Sequence, residues 1–104
     1  MAITTLELFA CTGSQFPMQN ICLLKDLEFI GINNVNVEVD FDILNCFSRL
    51  KEIDLKNLKH VKNVKSIFDN QSLRGISIFN CKNFPKESYE RVTRNNYDFL
   101  QINP

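Results

Sequence analysis

The amino-acid sequence predicts a repetitive α/β fold, and three observations support this. The chain repeats itself, because LKEIDLKNL at 50 recurs as LRGISIFNC at 73, LEFIGINNV at 27 and ITTLELFAC at 3. Apolar residues occupy the first, fourth and sixth positions of every copy, and also the ninth position of these four. This spacing matches neither the alternation of a strand nor the 3.6-residue period of a helix. A larger repeating unit therefore determines the spacing of the apolar residues.

The copies begin 24, 23, 23 and 24 residues apart, and YDFLQINP begins a fifth. Their boundaries define repeats 3–26, 27–49, 50–72 and 73–96 and a terminal strand 97–104. The pattern resembles the leucine-rich repeat, L-x-x-L-x-L-x-x-N/C-x-L, over essentially the whole chain. This resemblance implies a single α/β domain, a leucine-rich-repeat solenoid with a concave parallel β-sheet and short helices or irregular turns on the convex side.

Each copy is expected to supply one short strand, near residues 5–8, 29–32, 52–55, 75–78 and 99–102. The fourth and sixth residues of each copy then point inward, as strand alternation requires. The ninth residue departs from the family pattern, because Val35 and Leu58 cannot make the backbone hydrogen bonds that Asn or Cys provides. The first and fourth copies keep cysteine there, at Cys11 and Cys81.

The segments between strands predict short helices. Asp40 or Asp42 is a candidate N-cap for a helix that places Ile43, Leu44 and Phe47 on one face. Pro17 leads into MQNICLLKD and Pro85 leads into KESYERVTRNN, and proline suits a first helical turn. The third copy offers only VKSIFDNQ, enough for one or two turns.

The strands at Ile3 to Leu8 and Tyr97 to Ile102 are expected to be the two end strands of the sheet. Neither end of the chain carries a convincing capping unit, which stable repeat proteins need. We therefore expect either a fragment or subunit of a larger protein, or self-association through the end strands.

Composition restricts the class of protein. The 104 residues are 44% hydrophobic and 23% charged with zero formal charge, so the overall basic excess of a dedicated nucleic-acid binder is missing. No apolar stretch approaches the length of a membrane span, and the start, MAITTLELFACTGS, shows no basic region followed by an apolar run. We expect a soluble intracellular protein, in the cytoplasm, whose four cysteines are free thiols. Cys22 and Cys46, equivalent in adjacent copies, are expected to approach one another as small buried residues.

No enzyme motif is found in the sequence, so we expect a protein that is not an enzyme and has no cofactor. His60, the single histidine, has no cysteine beside it and is expected to be a solvated surface residue. Cys11 and Cys81 are expected to lie roughly 14 Å apart, three strand spacings, which is too far for a shared metal or a disulfide. No metal site is predicted.

The strand residues that face away from the core form the predicted binding surface. Exposed aromatic rings on a concave sheet are typical of protein-binding faces. The predicted partner-binding residues are Phe9, Phe29, Glu52, Asp54, Lys56, Phe79 and Phe99. In the alternative interpretation, Phe29 and Phe99 fold over as end caps, while Lys56 and either Lys51 or Arg74 neutralise the two carboxylates.

A second surface is predicted from Lys56, Lys59, Lys62 and Lys65, which are spaced by three and interleaved with aliphatic residues. A tight turn with a period near three puts these lysines outward. The resulting basic convex flank is the alternative binding site, for nucleic acid or an anionic lipid surface. Binding of a protein partner on the concave face is the favoured function.

Overall fold

A computed structural model describes residues 3–9 and 18–104 of the chain. It contains two very short α-helices, three short 3-10 helices and seven strands within these ranges. In chain order the elements are β1 (Thr5–Phe9), α1 (Met18–Ile21), β2 (Phe29–Val35), β3 (Val39–Asp40), a 3-10 helix (Phe41–Cys46), β4 (Glu52–Leu58), β5 (Val61–Lys62), α2 (Lys65–Asp69), β6 (Gly75–Phe79), two 3-10 helices (Lys86–Ser88 and Arg94–Asn96) and β7 (Phe99–Asn103).

Five strands form one parallel sheet in the order β1-β2-β4-β6-β7. Each strand pairs with the equivalent residues of the next copy, so that Thr5, Phe29, Glu52, Gly75 and Phe99 lie side by side. The predictions of five parallel strands and of their positions are confirmed. The prediction that β1 and β7 are the end strands is confirmed as well.

The core lies on one face of this sheet and follows the repeat pattern. The first residues of three copies, Leu27, Leu50 and Leu73, are at most 2% exposed. The fourth, sixth and ninth positions of the second, third and fourth copies are buried too, whereas Leu6, Leu8 and Ile102 in the end strands are half-buried. The buried residues at these positions are Ile30, Ile32, Val35, Ile53, Leu55, Leu58, Ile76, Ile78, Cys81 and Leu100.

The segment after β3 is helical, as predicted, but it is a 3-10 helix. Its N-cap is Asp40, whose Oδ1 accepts a 3.0 Å hydrogen bond from the backbone N–H of Asp42. Phe41, Ile43 and Leu44 are buried, and Phe47 after the helix is buried as well. A six-residue segment supplies few i to i−4 bonds, so the tighter 3-10 form costs little here.

The other inter-strand segments are also short. α2 supplies the one or two turns predicted for the third copy. After Pro85 the segment forms two separate 3-10 helices, with Pro85 at the N-cap of the first. α1 spans four residues, and Pro17 before it lies outside the described residues.

Side chains of the third copy complete the turns of the second. The Asn70 Nδ2 donates to the carbonyl oxygens of Leu44 and Phe47 at 3.2 and 3.3 Å. Within the third copy itself, the Ser72 hydroxyl donates to the carbonyl of its first residue, Leu50, at 2.6 Å. Backbone acceptors at the end of the 3-10 helix are thus satisfied by the neighbouring copy, which offsets the cost of burying them.

The prediction of free thiols is wrong for one pair, because Cys22 and Cys46 form a disulfide. Their Cα atoms are 5.5 Å apart, within the usual range for such a bond. Their equivalent positions in adjacent copies bring them together, as the sequence predicted, but both are half-buried rather than buried. The disulfide links the first copy to the second. The free thiols were inferred from the expected intracellular location, and for this pair that inference fails.

None of the helices within residues 3–9 and 18–104 is long and apolar enough to cross a membrane.

Candidate partner-binding face

The sheet has one face in the core and another turned away from it, which we call the open face. Three rows of residues run across the strands on this face, fixed by the parallel register. The first row is Thr5, Phe29, Glu52, Gly75 and Phe99; the middle row is Glu7, Gly31, Asp54, Ser77 and Gln101; the third row is Phe9, Asn33, Lys56, Phe79 and Asn103.

The predicted aromatic residues do not form one cluster. Phe29 and Phe99 belong to the first row but lie three strand spacings apart, roughly 14 Å. Phe79 is in the third row beside Lys56. Phe9 lies in β1 opposite Asn33, but its side chain is outside the described part of the structure. The open face therefore presents separated rings.

Two of these rings lie over glycines. A Cβ on Gly31 would be 3.2 Å from Cε1 of Phe29, and a Cβ on Gly75 would overlap the ring of Phe99. The rings thus fold down onto the sheet, but Phe29 does so on β2, which is not an end strand. Phe29 remains half-buried and Phe99 is 38% exposed, so neither is removed from the surface.

A pocket of about 230 Å³ opens beside Phe29. Its base is Gly31, which has no side chain to fill the space between the carboxylates of Glu7 and Asp54 on the two flanking strands. Lys56 contributes the third charge at the end nearer the third row. The remaining lining residues are Ile32 and Asn33.

Asp54 is the unusual member of the pocket lining. Its Oδ1 is buried and accepts no hydrogen bond within the described residues. Burying part of an ionised carboxylate without a partner is unfavourable, since lost hydration is not replaced. Glu52 lies on the same strand and the same face but does not line the pocket. The pocket pairs Asp54 with Glu7, a residue that was not predicted as a site residue.

Two of the three neighbouring cations that could have neutralised Glu52 and Asp54 are engaged elsewhere. Lys51 contacts Glu28 at 2.7 Å, and Arg74 contacts Asp98 at 3.5 Å. Lys51 also holds the pKa of Glu28 below its usual value, through a hydrogen bond and its charge. Among the residues that the structure describes, neither Glu52 nor Asp54 takes part in an ion pair.

The predicted lysine run is divided between two surfaces. Lys56 lies on the open face, whereas Lys59 follows β4, Lys62 lies in β5 and Lys65 begins α2, all exposed, so they do not share the predicted tight turn. The interleaved Leu58, Val64 and Ile67 are buried and Val61 is half-buried, which confirms the predicted inward and outward pattern.

Acidic groups interrupt the basic flank. Asp40 pairs with Lys62 in the register of β3 and β5, and it accepts a 2.8 Å hydrogen bond from the Asn63 Nδ2. Burial alone would raise the pKa of Asp40, but hydrogen bonds from Asn63 and the N–H of Asp42, with the charge of Lys62, lower it. Asp42 accepts a hydrogen bond from the Ser66 hydroxyl. The flank is thus of mixed charge.

An asparagine column that the sequence interpretation missed ends the strands. Asn34, Asn57 and Asn80, the eighth residues of three consecutive copies, have positive φ values of 57°, 56° and 50°. Asparagine tolerates this left-handed conformation better than other residues with a side chain. The Asn80 Nδ2 donates to Asn57 Oδ1 at 2.6 Å, and the Asn57 Nδ2 donates to Asn33 Oδ1 at 3.3 Å. The amides occur one position before the column where the family pattern places them.

The remaining candidate reactive groups do not assemble a site. Burial raises the pKa of the Cys81 thiol, and its Sγ–H donates to the Phe79 carbonyl at 3.4 Å. His60 is exposed, as predicted. The described residues contain no group of three or more His, Cys, Asp or Glu placed to hold a metal ion. Cys11 lies outside the described residues, so its predicted distance from Cys81 stays a prediction.

Comparison with known proteins gives one distant similarity. The chain is 33% identical over 75 residues to the disease resistance protein ADR1 of Arabidopsis thaliana. The matched stretch is 72% of this chain, and the chain spans 9% of the length of that relative. No family model matches the chain, and no solved structure matches it.

Proposed function

We propose that the protein is a non-catalytic interaction module of the leucine-rich-repeat type that binds a partner protein on the open face of its sheet. The observation that carries the proposal is the pocket over Gly31, where charged groups and an aromatic ring surround unfilled space. The in-register parallel strands, 23 or 24 residues apart, support the repeat assignment. The distant similarity to a disease resistance protein agrees with an interaction role.

The proposed binding residues are Phe29, Glu52, Asp54, Lys56, Phe79 and Phe99, together with Phe9 at the end of β1. Separated rings around a charged centre favour a partner that covers the sheet broadly, because aromatic anchors dominate binding when fully desolvated. The first and third rows then supply apolar contacts, and the middle row supplies polar ones.

The test begins with affinity capture on the immobilised chain, followed by direct binding measurements with each protein captured. Phe79→Ala and Glu52→Lys change the open face, and Lys62→Glu is the matched charge reversal on the flank. We expect truncation of an anchor ring to weaken binding by about 2 kcal/mol, or roughly thirtyfold, with Lys62→Glu near wild type. Circular dichroism confirms that each variant is folded.

The opposite pattern would replace this proposal. If Lys62→Glu abolishes binding while both open-face changes leave it intact, the basic flank is the binding surface. Binding to nucleic acid or anionic vesicles that falls steeply with salt would identify that ligand class.

A further inference from the structure

The pocket over Gly31 has a geometry that indicates one kind of occupant. Adjacent strands are about 4.8 Å apart, so the Cα atoms of Glu7 and Asp54, two strands apart, are separated by roughly 10 Å. Gly31 lies between them, and although the Phe29 ring and the Glu7 Cγ come within 3.2–3.5 Å of where its Cβ would stand, a pocket of about 230 Å³ remains. The two carboxylates therefore flank a gap wide enough for one side chain to enter from the open face.

The charge distribution in this gap favours a cation. Glu7 and Asp54 contribute two negative charges, and Lys56 contributes one positive charge at one end. In the described part of the chain, no lysine or arginine makes an ion pair with either carboxylate. The Oδ1 of Asp54 is buried without a hydrogen bond, so this carboxylate has lost hydration that a cation at its other oxygen replaces.

The wall of the gap favours a flat cation. The ring of Phe29 lies against Gly31 and borders the pocket along one side. A guanidinium stacks on an aromatic face and donates to carboxylates through several N–H groups at once, whereas an ammonium is a compact, strongly hydrated charge. The volume of about 230 Å³ is below the range of pockets for drug-sized ligands, which suits a single side chain.

We propose that the pocket formed by Glu7, Phe29, Gly31 and Asp54 receives one arginine side chain of the partner protein. The guanidinium stacks on Phe29 and donates hydrogen bonds to Asp54 and Glu7 on either side. This inference rests on the proposed function, because it assigns the chemistry that the open face recognises. The sequence predicted Glu52 and Asp54 as the acidic pair, whereas the pocket pairs Asp54 with Glu7.

A bound metal ion does not fit this site. The pocket offers only two carboxylates, and the described residues contain no group of three or more His, Cys, Asp or Glu placed to hold a metal ion. An anion does not fit either, since Lys56 alone would face two carboxylates. A guanidinium can donate hydrogen bonds to both carboxylates across the gap, so the carboxylates need not approach one another.

The test uses blocked arginine, N-acetyl-arginine methylamide, as the probe. Blocked citrulline is its neutral match in shape, and blocked lysine carries the same charge without the planar group. Binding is followed by the NMR shifts of the amides of Gly31 and Asp54. We expect saturable shifts with blocked arginine, weaker binding of blocked lysine, and no shifts with blocked citrulline at the same concentrations.

Four variants locate the site. We expect Asp54→Asn to weaken arginine binding at least about tenfold, since it removes the central charge. Glu7→Gln and Phe29→Leu are expected to weaken it by smaller factors. Glu90→Gln, an exposed change outside the open face, is the control and is expected to leave binding unchanged. Glu7 is exposed, so Glu7→Gln tests the pocket even where another variant does not fold.

Equal binding of blocked citrulline, or undiminished binding of arginine by folded Asp54→Asn and Glu7→Gln, would overturn the inference. These results are distinguishable from failure of the proposed function. If blocked arginine does not bind while Phe79→Ala and Glu52→Lys abolish partner binding, only the arginine pocket is wrong. If blocked arginine binds but those two variants leave partner binding intact, the partner surface is wrong and the pocket stands.

Discussion

The ring of Phe99 in β7 occupies the space beside Gly75 in β6 where a side chain would otherwise stand. The two residues are register partners in the first row of the open face. Glycine is usually unfavourable inside a strand, because it has no side chain to pack and loses much conformational freedom. Here its missing Cβ lets the ring settle on the sheet.

The first prediction concerns this pair. Gly75→Ala is expected to destabilise the fold by about 1–3 kcal/mol, because the new methyl group displaces the ring of Phe99. In a Phe99→Ala background the same change is expected to be neutral or stabilising, since alanine is favoured over glycine in strands. Urea denaturation of the four proteins in this double-mutant cycle measures the coupling. Equal effects of Gly75→Ala in both backgrounds would contradict the contact.

The second prediction concerns the asparagine column. Asn57→Gly keeps a residue that adopts positive φ but loses the side-chain hydrogen bonds to Asn33 and Asn80, so we expect a cost of about 1 kcal/mol. Asn57→Val loses the same bonds and adds backbone strain, so we expect an additional cost of about 1–2 kcal/mol. Thermal unfolding of both variants tests this order. A valine variant as stable as the glycine variant would be evidence against a left-handed conformation at Asn57.

The third prediction concerns the disulfide between Cys22 and Cys46, which are separated by 24 residues in sequence. Reduction is expected to lower the free energy of unfolding by about 2–4 kcal/mol, since the bond restricts the unfolded chain. Denaturation with and without reductant measures the change. Peptide mapping after alkylation under native, non-reducing conditions should find both cysteines unmodified. Alkylation of both cysteines there would restore the original prediction of free thiols.

The sheet was predictable from the sequence because one repeat length determines both the strand positions and their register. Once Leu27, Leu50 and Leu73 are aligned, the inward and outward residues of every strand follow from alternation. The same alignment placed Cys22 beside Cys46. Their bonding state was predicted wrongly because free thiols were inferred from the expected compartment and not from this proximity.

Other features were readable in the aligned copies but were not recognised. Asn34, Asn57 and Asn80 share the eighth position in three consecutive copies. They were missed because the family pattern places Asn or Cys at the ninth position. Glu7, Gly31 and Asp54 are consecutive in the middle row, so a glycine between two carboxylates was visible as a gap. The positions of the Phe29 and Phe99 rings required side-chain rotamers, which residue spacing does not determine.

The most direct test of the central claim compares two lysines on the third copy. Lys56 lies on the open face, and Lys62 lies on the flank; both are exposed and only six residues apart. A photo-crosslinking amino acid is placed at one position or the other, and each folded protein is irradiated with the captured partner. We predict a covalent adduct from position 56 and none from position 62. An adduct from position 62 alone would contradict binding on the open face.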